Sequence, residues 1–133
     1  MANEASIIEL SGMNPINFTV ADASNISKGA LLKLSGDYTV VTSGAADNAP
    51  YAGIAAADKE ASDGATTIAV HVPGQGNIFD IKNASGTITN GGIVSLSGTN
   101  LIKQAVEAET VTGAVVGKAL ESASASEVVR VMS

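Results

Sequence analysis

One apolar phrase occurs twice in this chain, 62 residues apart: residues 26–36 read ISKGALLKLSG and residues 88–98 read ITNGGIVSLSG. Ile26/Ile88, Gly29/Gly91, Leu34/Leu96, Ser35/Ser97 and Gly36/Gly98 coincide, and Leu31-Leu32 is answered by Ile93-Val94. Each copy leads into a second apolar stretch, then a Gly-x-Ala step (Gly53-Ile54-Ala55, Gly117-Lys118-Ala119), then a β-branched run. A chain that repeats itself once at this length is built from two related halves. The period is too long, and the copies too few, for the stacked turns of a solenoid.

Each half reads as short strands separated by turns. Strands are expected at Ile16–Val20, Ala30–Leu34, Tyr38–Val41, Tyr51–Ala57 and Thr66–Val72 in the first half. In the second they are expected at Asn77–Ile81, Ile93–Leu96, Leu101–Lys103, Ala114–Leu120 and Val128–Val131. Ser35-Gly36-Asp37 and Ser97-Gly98-Thr99-Asn100 are hairpin turns, Asp47 is an ordinary turn residue, and Ala105–Thr112 is a loop or short helix. About ten short strands at roughly 8–12-residue spacing define an all-β fold, a compact β-barrel or β-sandwich. Closure of two half-barrels or packing of two sheets satisfies the repeat, and Gly29 and Gly91 are expected at positive φ or close backbone approach. The organisation is an N-terminal arm over residues 1–15 and a single β domain over 16–133, its repeat units spanning 26–72 and 88–133. In the arm, Ser6-Ile7-Ile8-Glu9 is either a capped helix start or a short strand ending at Leu10.

Composition narrows the function classes. The net charge is −6, and the seven basic residues are scattered rather than clustered, which argues against nucleic acid or an anionic membrane as a partner. There is no cysteine, so disulfides, thiol catalysis and cysteine metal sites are excluded. The N-terminus lacks a basic region followed by an apolar run, so synthesis and folding in the cytoplasm are expected, with the sequons at Asn17, Asn25 and Asn83 unused. Aromatic residues are only 3% of the chain, so the core must be Val, Ile, Leu and Ala, and assembly is expected to add buried surface.

No motif specifies a reaction. His71, the only histidine, lies between Val70 and Val72 on a strand, with no nucleophile elbow in the chain; it is expected to face solvent or a subunit neighbour. Gly74-Gln75-Gly76 begins like a dinucleotide fingerprint but meets Phe79 at the third glycine and precedes a strand. Asp58, Glu60 and Asp63 before Gly64 lack the spacing of a calcium loop and read as a solvated acidic loop. No catalytic, cofactor or metal residue is therefore assigned. Phe18 and Phe79 are expected in the core, which leaves too few aromatics for a broad sugar platform.

The stretch from IFDIKNASGTITNGGIVSLSG through GAVVGKALESASASEVVRV resembles the capsid decoration proteins of tailed bacteriophages, also called cement or head-stabilising proteins. KGALLKLSG, YAGIAAADKEASDG and TIAVHV extend the likeness over residues 26–133. The resemblance implies a structural virion protein and no enzyme. It would bind the phage major capsid protein on the outside of the head as a homotrimer, bracing neighbouring capsomers without nucleic acid or membrane. Ile7, Ile8 and Leu10, apolar in an arm too short for its own core, are the candidate capsid or inter-subunit contacts; the alternative is that the arm covers its own barrel. The competing functions are a trimeric fibre or adhesin-like domain binding host surface glycans, and a small hydrolase using serine and His71.

Overall fold

A computed structural model describes residues 3–44 and 49–133; Asp47 and the centre of the Ser43–Pro50 loop lie outside the described residues. The first half contains β2 (Ile16–Thr19), β3 (Leu31–Gly36), β4 (Thr39–Thr42), β5 (Tyr51–Ala55) and β6 (Thr67–His71). These close into a barrel in the order β2-β4-β3-β5-β6. The second half contains β7 (Ile78–Asn83), β8 (Ile93–Leu96), β9 (Leu101–Gln104), β10 (Val115–Ala119) and β11 (Val128–Met132). It closes in the same order, because β7 pairs with both β11 and β9. The two copies of the repeat therefore do not pool their strands: each closes a five-stranded barrel of its own, which leaves no edges along the closed ladders.

The correspondence is detailed. Each barrel has one parallel pairing, β2 with β4 and β7 with β9, and is otherwise antiparallel. Isolated bridges recur at Ile26–Lys59 and Ile88–Ala123. The expected hairpins across Ser35–Asp37 and Ser97–Asn100 form as β3–β4 and β8–β9. Tyr38, expected to start a strand, is instead the last turn residue at φ 55°, and Asn100 holds the matching place at φ 59°. Asparagine tolerates this left-handed region; tyrosine does so at a cost.

Alternation explains the barrel interiors, except on β5, where an irregularity in the pairing with β3 puts both Ala52 and Ala55 inward. Leu32, Val40, Ala52, Ala55, Ile68 and Val70 fill the first, and Phe79, Ile81, Val94, Leu96, Val129 and Val131 belong to the core of the second. The second core does not stop at its own strands. Leu31, Tyr51 and Ile54, on the outer side of the first barrel, join it, so the two barrels share an apolar interface. Polar bonds frame it. The Leu31 N–H donates to Asn100 Oδ1 at 2.9 Å, the Ser43 hydroxyl to the Gly98 carbonyl at 3.1 Å, and the Tyr51 N–H to the Gly113 carbonyl at 2.9 Å.

Candidate functional site

The arm forms β1 (Ser6–Glu9), the strand alternative, antiparallel to β7 with a bulge between Ile7 and Glu9. Just before it, the Ala5 N–H donates to the Gly29 carbonyl of the first barrel at 2.8 Å. Just after it, the Ser11 N–H donates to Asn77 Oδ1 at 2.9 Å. The arm is thus a strap that touches the first barrel at Gly29 and lies along β7 of the second. Gly29 permits this: at φ 91°, a side chain there would strain the backbone, and its Cβ would stand 2.5 Å from the Ala5 carbonyl. β1 pairs with β7 alone, so among the described residues its other edge is open. Ile7, Ile8 and Leu10 are exposed, as are Met13 and Ile16 beyond them. The candidate contacts form one continuous feature: an open strand edge with apolar side chains, held against the chain's own second barrel.

His71 departs from expectation. It faces neither solvent nor a neighbouring subunit. It is buried on β6 with its ring tilted against Phe79 of the second barrel, centroids 5.7 Å apart. Its Nδ1 has no hydrogen-bond partner. Burial, and then the charge of Lys28, hold its pKa below the usual histidine value, so the ring is neutral at pH 7. A triad would need a serine and a carboxylate bonded to this ring, and Nδ1 meets neither.

The loop read as solvated and acidic is organised around a buried lysine. Lys59 Nζ donates to the carbonyls of Asp22 and Glu60 at 2.9 and 2.7 Å and to Asp63 Oδ1 at 2.6 Å, with Asp22 Oδ1 at 3.3 Å. Burial works to lower the lysine pKa, but the hydrogen bonds and charges of Asp63 and Asp22 outweigh it and raise the value. The Lys59 hydrogen bond brings Asp63 down to about 2. Asp58 accepts from the Lys28 N–H at 2.7 Å. The Asp22, Asp58 and Asp63 carboxylates stay at least partly exposed, and each bonds a group of the fold. Among the described residues no group of three or more metal-ligating side chains converges.

A second buried charge sits in the short helix α1 (Glu107–Val111). Glu109 accepts from the Ser95 hydroxyl at 3.0 Å, the Val106 N–H at 2.8 Å and Lys103 Nζ at 2.8 Å. Burial pushes its pKa up, yet these three donors hold it below the usual glutamate value. The bond from the Val106 N–H is half of a capping box and fixes the helix start. Sequence reasoning missed this residue; the signal available was a glutamate three positions after a loop residue.

Tyr38 is exposed and stacks on Phe18, centroids 4.9 Å apart, so Phe18 is only partly a core residue. Tyr51 is buried between the barrels; burial pushes its phenol well above the ordinary value despite contact with the Ser133 hydroxyl. On the second barrel, a shallow apolar groove of about 400 Å³ is lined by Ile93, Val115, Gly117, Lys118 and Met132, among others. Of the sequons, Asn83 is fully buried, with its Nδ2 donating to the Gly86 and Ser124 carbonyls. In comparisons with known proteins, no family model and no curated sequence matches the chain.

Proposed function

We propose that this protein decorates the outside of a tailed-phage head, binding the major capsid protein as a homotrimer and bracing neighbouring capsomers. The reading rests on the resemblance over residues 26–133. The structural observation that supports it most is the strap. Its inner edge is satisfied by β7, while its outer edge and Ile7, Ile8 and Leu10 remain open. An open edge carrying exposed apolar side chains can accept a strand from a capsid subunit by β-augmentation. A cyclic assembly would present the same edge several times, so weak contacts sum to high avidity across capsomer boundaries.

Binding to expanded heads that lack the protein tests this by co-sedimentation. Deleting residues 2–12 should abolish occupancy, but it also removes the strap between the barrels. Replacing Ile7, Ile8 and Leu10 together with serine keeps the backbone pairing and isolates the surface. Decorated heads should survive heating that breaks bare heads. Wild-type protein that fails to bind heads, or triple-serine protein that binds as well as wild type, would sink the proposal or the arm's part in it, respectively.

A second reading has one observation in its favour, the exposed Tyr38 ring stacked on Phe18. An adhesin-like role would use this platform for a sugar face. Binding on a glycan array that is lost in Tyr38→Ala would replace the capsid reading with this one.

A further inference from the structure

The two barrels meet unequally. The outer side of the first barrel, at Leu31, Tyr51, Ile54 and His71, receives an end of the second that includes Phe79, Leu96 and Asn100. Because the barrels share one topology, each of these surfaces has an unused counterpart. The counterparts of Leu31, Tyr51, Ile54 and His71 are Ile93, Val115, Lys118 and Met132, and all four line the apolar groove on the second barrel. Leu31 and Ile54 are 0% exposed, whereas Ile93 is 48% and Met132 40% exposed. The counterparts of Phe79, Leu96 and Asn100 are Ile16, Leu34 and Tyr38, at an end of the first barrel. Phe79, Leu96 and Asn100 are 0% exposed; Ile16 is 41%, Leu34 36% and Tyr38 61% exposed.

We propose that the groove on the second barrel is the docking site for the first barrel of another copy of this chain, in the geometry the two barrels already use within one chain. The free surfaces keep most of the apolar half of the internal interface, with Lys118 standing where Ile54 stands. Backbone groups are also in place: the Ala105 N–H donates to the Ile93 carbonyl as the Ser43 N–H does to Leu31, so the Ile93 N–H takes the place of the Leu31 N–H. The polar half is changed. Tyr38 replaces the acceptor Asn100, and Ala105 replaces the hydroxyl of Ser43. Asp37, in the docking turn, and Lys118, in the groove, are both exposed and of opposite charge. The copy-to-copy contact is accordingly weaker than the internal one and reversible. It is heterologous, so it closes into a ring when the rotation between barrels divides the circle. Three copies would then set six barrels around one axis. The inference rests on the internal repeat and not on capsid binding: a protein that assembles this way but ignores phage heads overturns only the capsid reading.

Light scattering on the full chain over a concentration series tests it. Wild type should rise above the monomer mass with concentration, and Tyr38→Asp and Ile93→Asp should each stay monomeric while keeping the wild-type circular dichroism. Met132→Asp serves if Ile93→Asp does not fold. Each variant retains one intact half, so their mixture should form a heterodimer and stop there. Pairing Tyr38→Asn with Ala105→Ser restores the two polar partners of the internal interface and should lower the assembly midpoint by about fivefold per bond. A wild type that is monomeric throughout, or aspartate variants that assemble like wild type, overturn the proposal, as does a mixture that remains monomeric.

Discussion

Gly53 lies under the β6 backbone, at φ 151°, where a Cβ would stand 2.5 Å from both the His71 carbonyl oxygen and Val70 Cγ1. Its counterpart Gly117 would meet the Met132 carbonyl in the same way. The Gly-x-Ala step of the repeat is therefore a close approach of strands, written twice. Gly53→Ala must push backbone against backbone and should cost about 3 kcal/mol, lowering the melting temperature by roughly 10 °C. The pair between buried Lys59 and exposed Asp63 makes a prediction in pH. Asp63 ionises at about 2 in the fold against an ordinary 3.8. Its contribution is complete above 3.8, shrinks as pH falls toward 2, and is gone below that value. Lys59 is shifted the other way, so its part is complete below 10.5 and is lost as pH rises past it. The stability difference between wild type and Asp63→Asn, measured by urea melts, should thus be flat from neutral pH down to the carboxylate range and then vanish. A difference that persists in strong acid would show that packing, not ionisation, is lost in the variant.

Among the elements, the strap separates the two copies of the repeat. Gly29 and Gly91 share a left-handed backbone, φ 91° and 81°, but only Gly29 has the arm across it; nothing lies within 4 Å of a Cβ at Gly91. Alanine at either position should cost about 1 kcal/mol for the backbone alone. Gly29→Ala should also displace Ala5 and loosen the arm, exposing the bond after Glu9 to a glutamate-specific protease; Gly91→Ala should leave the arm protected. Equal cleavage in both variants would mean that the Gly29 contact does not hold the strap. The sequence made the hairpins legible because Ser35-Gly36-Asp37 and Ser97-Gly98-Thr99-Asn100 are local turn chemistry between apolar runs. It marked Gly29 and Gly91 by repetition, yet not the difference between them, since that depends on a segment some 25 residues away in the chain. Lys59 and Glu109 were equally hidden: each is a charge in a polar loop, and only closure of the barrel turns it inward onto its partners. The arm's apolar residues were readable as a surface in need of a partner, but β7 as the strand that takes the inner edge was not, because Ile78–Asn83 shows no sign of a third neighbour.

At the scale of the whole molecule, the question is whether two closed barrels are two folding units. Closure alone argues that they are, since each has its own interior and most pairings stay within a half. The shared core argues the reverse. Leu31 and Leu32 are adjacent and both fully buried, one outward into the interface and one inward to the first barrel. The phrase LL carries no hint of that division, which is why a single barrel and two barrels could not be told apart from periodicity. With Leu31, Tyr51, Ile54 and His71 packed in the cluster shared with the second barrel, separation would expose a large apolar face and leave the Asn100 side chain without its Leu31 donor. The barrels should therefore unfold together, in one transition seen alike by tyrosine fluorescence and far-ultraviolet dichroism. Leu31→Ala should cost about 3 kcal/mol, the usual scale for a buried leucine truncated where collapse is limited. Hydrogen exchange locates the loss: amides of β5 and of β8 should lose protection by the same factor, because both report the same global opening. Loss confined to the first barrel's strands would show that the halves open separately, and that the apolar interface joins two independently stable barrels.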